Sequence, residues 1–160
     1  MPTRNPPPRI SLRDVSPADL PALFEQQLDP DANRMAVVNP RDSASFYAHW
    51  AAIFAQPSII AKAILAGDHL VGSISCFKLE GQDLVGYWIA KEHWGKGFAT
   101  QALILLLEQV HIRPLHARAA RANIASIRVL ERCGFTITGH HYAPATDRFP
   151  ACEEALLILH

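Results

Sequence analysis

What this 160-residue chain lacks narrows what it can be. It has three cysteines, Cys76, Cys133 and Cys152, and no C-x-x-C spacing. So sparse and odd a set excludes a disulfide framework and a zinc ribbon; it reads as reduced thiols in a cytoplasmic protein. No apolar run approaches the roughly 20 residues that a membrane span needs. The opening stretch, Met1 to Ile10, has an early arginine but no apolar signal core, so no export signal is read there. An excess of one charge is also missing: 15 Lys and Arg balance 15 Asp and Glu. That gives no general pull toward nucleic acid or a membrane surface. Eight histidines are present, but none lies in an H-x-x-x-H or comparable pattern, so no metal is assigned.

What is present is the pattern of a globular α/β chain, with 49% hydrophobic and 19% charged residues. Residues 1–8 are proline-rich and are expected to form a flexible N-terminal segment. Residues 9–160 carry no boundary or repeat and are expected to form one domain. A first strand is read at Arg9 to Val15. A helix follows, with Ser16 as N-cap, Pro17 at the first helical position and Asp19 three after the cap. Its apolar face is Leu20, Leu23, Phe24 and Leu28. The stretch Asp29 to Pro40 reads as a loop from its Asp, Pro and Asn content. A second helix is read over Asp42 to Gln56, with Phe46, Trp50 and Phe54 on one side.

Three strands in a meander come next, turned at Gly67-Asp68 and at Gly81-Gln82-Asp83. A helix from Ala99 to Ile112 places Leu103, Leu106, Leu107 and Val110 inward. Pro114 to Ala122 is a weaker strand candidate. Asn123 to Phe135 is a helix capped by Asn123 and stopped at Gly134. Two strands close the chain. The order β-α-α-β-β-β-α-β-α-β-β implies a layered α/β fold on a mixed sheet.

Between the third meander strand and the following helix stands Trp94-Gly95-Lys96-Gly97-Phe98-Ala99. A helix N-terminus offers unpaired N–H groups and a partial positive charge, and glycines leave that backbone bare. A phosphate or pyrophosphate suits such a place, and Lys96 adds charge. The pattern is not a dinucleotide fingerprint, since Thr100 stands where the third glycine belongs. Nor is it a Walker loop.

This turn, followed by Asn123-x-x-Ser126-x-x-Val129-Leu130-Glu131-x-x-Gly134-Phe135, resembles the GNAT superfamily of acetyl-CoA-dependent N-acetyltransferases. Within it the chain is most similar to the branch that acetylates ribosomal-protein N-termini. The likeness spans about residues 9 to 159. One position departs from the Q/R-x-x-G-x-G/A motif, where tryptophan replaces Gln or Arg. The resemblance implies a mostly antiparallel central sheet flanked by helices, with acetyl-CoA as co-substrate. Its pyrophosphate would lie on the backbone of Gly95, Lys96, Gly97, Phe98, Ala99 and Thr100. Its pantetheine arm would pair with the backbone of Trp88, Ile89 and Ala90, on a strand that splays from its neighbour. Asn123 would cap its helix and also bond that arm.

The implied chemistry is direct attack of a neutral amine on a thioester. It needs a base for the amine, a donor to the oxyanion and a proton for the leaving sulfur. A backbone N–H near Trp88 or Ile89 would serve the oxyanion. Ser126 stands where many members carry a tyrosine and is the candidate donor to sulfur. It can equally satisfy its own helix's first turn. Asp83 is the one acid on the strand before the turn and so the candidate base, although a hairpin aspartate is commonly just solvated; Glu80 stands beside it. His49, His93, His140 and His141 are further titratable groups, the last two on opposite faces of a strand. Arg128 and Arg132 are helix cations, one of which could reach the coenzyme's ribose phosphate. The acceptor would be a primary amine, either a protein N-terminus or a small molecule, and a homodimer is left open. The alternative is a catalytically weak acyl-CoA sensor of the same fold.

Overall fold

The structure, a computed structural model, describes residue 6 and residues 8–160. The loose segment expected over residues 1–8 therefore falls largely outside the described residues.

Seven strands form one sheet: β1 Ile10–Asp14, β2 Ile60–Ala66, β3 His69–Leu79, β4 Gln82–Ile89, β5 Leu115–Ala120, β6 Thr136–Ala143 and β7 Cys152–Leu159. Their spatial order is β1-β2-β3-β4-β5-β7-β6. Every neighbouring pair is antiparallel except β4 and β5. The turns at Gly67, Glu80 and Gly81 all use positive φ, as tight hairpins of right-twisted strands require.

Strand alternation sorts the core into two layers. Ile64 faces one side, where it joins Val71, Ile74, Val85, Leu103, Leu106 and Leu130. Its neighbour Ala63 faces the other, with Leu23, Phe46 and Trp50. The helices divide accordingly. Helix α4 (Phe98–Gln109) and α5 (Ile124–Arg132) supply the first layer; α1 (Leu20–Gln26) and α3 (Ser43–Phe54) supply the second. Leu103 and Leu106 are buried as their spacing required.

Several expectations need correction. Asp29 to Pro40 is not all loop: α2 spans Pro30–Ala36. Asp29 caps it, accepting from Ala32 N at 2.9 Å, and Pro30 stands at its first position. That is the N-cap and proline pattern of a helix start, outweighed in the sequence reading by the turn-forming residues around it. Leu28 and Phe54, placed on apolar faces, are exposed, because each lies beyond the last turn of its helix or at its end. His140 and His141 do not divide in and out; both are exposed, since β6 is an edge strand with no helix over it.

Candidate functional site

The site forms where β4 and β5 part. Their only register partners are Leu84 and His116. Beyond that point β4 continues to Ile89 with an open flank. Ala90 N donates to Val71 O at 2.9 Å. Antiparallel alternation therefore turns the backbone groups of Trp88 toward β3 and those of Tyr87 and Ile89 toward the gap. Gly72 allows this close pairing, because a Cβ there would stand 2.0 Å from Trp88 O. Only glycine fits that position.

The gap widens into a cleft of about 470 Å³. One wall is the turn before α4. Gly95 and Gly97 have φ of 74° and 76°, the left-handed region that costs an L-residue roughly 1–2 kcal/mol. The first intrahelical bond of α4 runs from Gln101 N to Gly97 O. The N–H groups of Phe98, Ala99 and Thr100 thus lack helical partners and sit at the positive end of a 12-residue helix. Trp94, the departure from the motif, donates its indole N–H to Ile89 O at 2.8 Å and so ties the turn to the strand. The opposite wall is α5, where Arg128 and Arg132, one turn apart, both line the cleft. Helix α2, with Met35 among its residues, forms part of the rim.

At the inner end, Tyr87 and Ser126 meet. Tyr87 Oη lies 2.8 Å from Ser126 Oγ and 3.2 Å from Ser126 O. Burial pushes the Tyr87 phenol up to about 12, so it is protonated at neutral pH. Ser126 N donates to Asn123 Oδ1 at 3.2 Å, the expected N-cap.

A second, smaller pocket of about 200 Å³ opens on the other face of the sheet and shares Tyr87 and Trp88 with the first. Trp88 is anchored there, donating Nε1 to Gln26 O at 3.2 Å. Arg41, His49 and Arg148 line this pocket, and no Asp or Glu does. Burial and the two arginines lower the His49 pKa, so the imidazole is neutral at pH 7. Arg148 arrives from the loop between β6 and β7. That loop is stitched to the chain before α3: Asn39 N donates to Arg148 O at 2.8 Å, and the Arg148 guanidinium donates to Asn39 O.

Of the residues singled out in the sequence, Trp88, Ile89, Gly95, Gly97, Phe98, Ala99, Thr100, Asn123 and Ser126 converge on the large cleft. Three do not. Ala90 is buried and its N–H is committed to Val71. Lys96 lies outside the lining, its ammonium 5.9 Å from the Phe98 ring centroid. Asp83 sits at the far end of β4, paired across the hairpin with Lys78 at 3.6 Å, and lines neither pocket. Four residues before Tyr87, it is about 13 Å away along an extended strand. Glu80 likewise pairs with Arg118, at 3.2 Å. Tyr87, Arg41 and Arg148 also line these pockets and were not among the candidates read from the sequence. Nothing local in the sequence marks the arginines.

The acetyltransferase (GNAT) domain model matches residues 9–136. The chain belongs to the GNAT acetyltransferase family. Its seven-stranded, mostly antiparallel sheet, flanked by helices, is the fold of that family. This acetyltransferase is 33% identical over 76 residues to the probable N-acetyltransferase YjcK of Bacillus subtilis. That stretch is 42% of this chain and 42% of YjcK, less than half of the relative's length. Among solved structures it is similar to the spermidine N-acetyltransferase of Vibrio cholerae in complex with CoA and spermine, with TM-score 0.81, 16% identity and 94% of each chain covered. It is also similar to Mycobacterium smegmatis RimJ in complex with CoA-disulfide, with TM-score 0.75 and 22% identity, over 96% of this chain and 84% of that one. Among the described residues of this acetyltransferase, no helix is long and apolar enough to cross a membrane.

Proposed function

We propose that the enzyme moves an acetyl group from acetyl-CoA to a primary amine by direct attack, the coenzyme in the large cleft and the amine entering from the small pocket. One observation carries this reading: the two pockets lie on opposite faces of the sheet and meet at Tyr87 and Trp88, where β4 and β5 part. That the sheet runs on through β7, beyond the part matched by the family model, supports a single acetyltransferase domain over residues 9–160.

The cleft fits the coenzyme. The free N–H groups of Phe98, Ala99 and Thr100, with Gly95 and Gly97 bare beside them, suit a pyrophosphate. Arg128 and Arg132 suit the remaining phosphate. The open flank of Tyr87 and Ile89 suits the amide-bearing arm, and the Asn123 side chain adds a polar contact. Acetyl-CoA supplies an activated acetyl thioester.

The Ile89 N–H, aimed into the gap, stabilises negative charge developing on the carbonyl oxygen. The amine nitrogen forms the new C–N bond as the C–S bond breaks. His49, neutral and lining the acceptor side, takes the proton lost by the amine, directly or through water. With the Tyr87 hydroxyl as donor in its 2.8 Å contact with Ser126 Oγ, where either group can donate, the Ser126 proton is free for the departing sulfur. Asp83 plays no part, being remote and paired.

The test is titration of acetyl-CoA into the protein by calorimetry, then thiol release against a panel of amines and N-terminal peptides. Binding with amine-dependent release supports the proposal. Binding without release on any amine favours the sensor alternative, and no binding removes the coenzyme assignment.

A further inference from the structure

The small pocket is electropositive without a counterion. Arg41 and Arg148 are each half-buried in its wall, and among the described residues neither pairs with a carboxylate. Both line the same pocket, and the Arg148 pKa falls to about 10, chiefly from burial and then from the charge of Arg41. Holding two like charges together is unfavourable unless a ligand brings the opposite charge. Arg41 is also held in place: Gln27 Nε2 donates to Arg41 O at 2.9 Å, and Arg41 N donates to Gln27 Oε1 at 2.8 Å. Its guanidinium meanwhile makes no bond to the protein among the described residues. A clamped backbone presenting an uncommitted guanidinium is the arrangement of a binding residue.

Gln26 and Asn33 each leave a buried amide oxygen with no donor. Their orientations are fixed, because Gln26 Nε2 donates to Leu70 O at 3.0 Å and Asn33 Nδ2 to Gln27 O at 2.9 Å. Those oxygens are closed to solvent, so what the pocket itself offers a ligand is the positive charge of its arginines. Its volume of about 200 Å³ is below the roughly 300–1,000 Å³ of sites that hold drug-sized ligands, which suits an acceptor on the scale of one amino acid and not a long peptide.

We infer that the acceptor is an amino acid-sized primary amine with a carboxylate a few bonds from its nitrogen, the carboxylate held between Arg41 and Arg148. This rests on the acetyl-transfer reading above. The amine is acetylated and loses one proton, CoA leaves as the thiol, and the carboxylate is unchanged. A polycationic acceptor is repelled by the same two arginines.

The test uses the full chain with saturating acetyl-CoA and measures kcat/KM by thiol release. Each acceptor comes as a matched set: the free amino acid, its amide, its decarboxylated amine and a dipeptide with the same first residue; spermidine is added. The free acid should exceed its amide and its decarboxylated amine at least 30-fold, and spermidine should be near background. Arg148→Gln should bring the acid-to-amide ratio to within about threefold of unity, with acetyl-CoA affinity unchanged. Because Arg148 also fastens its loop to Asn39, Arg41→Gln is the second variant, and it should lower the ratio as well. An amide or polyamine as good as the acid overturns the inference; a dipeptide with acidic residues that outperforms the free acids overturns its size limit. If no amine releases thiol, the transfer reading fails instead. Calorimetric titration of amino acids into the CoA-loaded chain then decides the pocket separately. Binding lost in Arg41→Gln supports it, and no binding overturns it.

Discussion

The Tyr87–Ser126 pair gives the sharpest test of the proposed chemistry. If Ser126 donates to the departing sulfur, Ser126→Ala removes a hydrogen bond to a group that becomes charged. Such bonds contribute about 1.5–3 kcal/mol. At about 1.4 kcal/mol per decade, kcat should fall about 10- to 150-fold. Tyr87 acts one step back, through the 2.8 Å contact with Ser126 Oγ. Tyr87→Phe keeps the ring and removes a bond between neutral hydroxyls, about 0.5–1.5 kcal/mol, so kcat should fall only about 2- to 12-fold. The two act in series, so the double variant should be no slower than Ser126→Ala alone. That non-additivity separates a shared proton path from two independent packing defects, whose effects would multiply. The assay is steady-state thiol release with coenzyme affinity measured in parallel, since KM for acetyl-CoA should move little while kcat falls. Full activity of Ser126→Ala, or multiplicative losses in the double variant, would refute the pairing. Tyr87 as the base is already disfavoured, because its phenol is pushed up to about 12.

Three further outcomes are expected. Gly97→Asp should lower acetyl-CoA affinity at least 100-fold by calorimetry. The left-handed φ should cost about 1–2 kcal/mol, a fall in Tm of roughly 2–8 °C, since a Cβ there meets only Gln101 Nε2 at 3.8 Å; unchanged affinity would remove the pyrophosphate assignment. His49 is held below its usual 6.5 by burial and the two arginines, so kcat/KM should fall with acid only below that value. Arg148→Gln should shift that limb to higher pH, because removing a cation raises the imidazole pKa; a limb that survives in His49→Gln acquits the histidine. Arg13 clamps Asp19 with bonds of 2.7 and 2.8 Å and, as the leading cause, holds its carboxyl at about 2 against 3.8. That shift is worth about 2 kcal/mol, fully present above pH 4 and lost as pH falls from 3.8 through 2. Urea melts of Asp19→Asn should show a flatter acid limb than the parent, and identical limbs would mean that the pair contributes nothing.

Local backbone chemistry was decided by the sequence alone. Gly95 and Gly97 permit the positive φ that the turn takes, which few other residues tolerate, and they leave a bare turn ahead of a helix N-terminus. Asn123 as N-cap, Gly134 past the helix end and the alternation that buries Ile64 against Leu103 follow from sterics within a few residues of each position. So did membership of the family, because its motifs lie in those same short stretches. The composition of the two pockets was decided only by tertiary structure. Asp83 carried the right chemistry on the right strand, but the hairpin register put it opposite Lys78, at the wrong end. Tyr87 meets Ser126 because the parting of β4 and β5 brings α5 against it, 39 residues along the chain. Arg41, His49 and Arg148 share a pocket only because the loop before β7 folds back onto Asn39, more than 100 residues away in sequence. Loop closure over such distances is set by the sum of weak contacts across the whole fold, and no spacing within the chain records it.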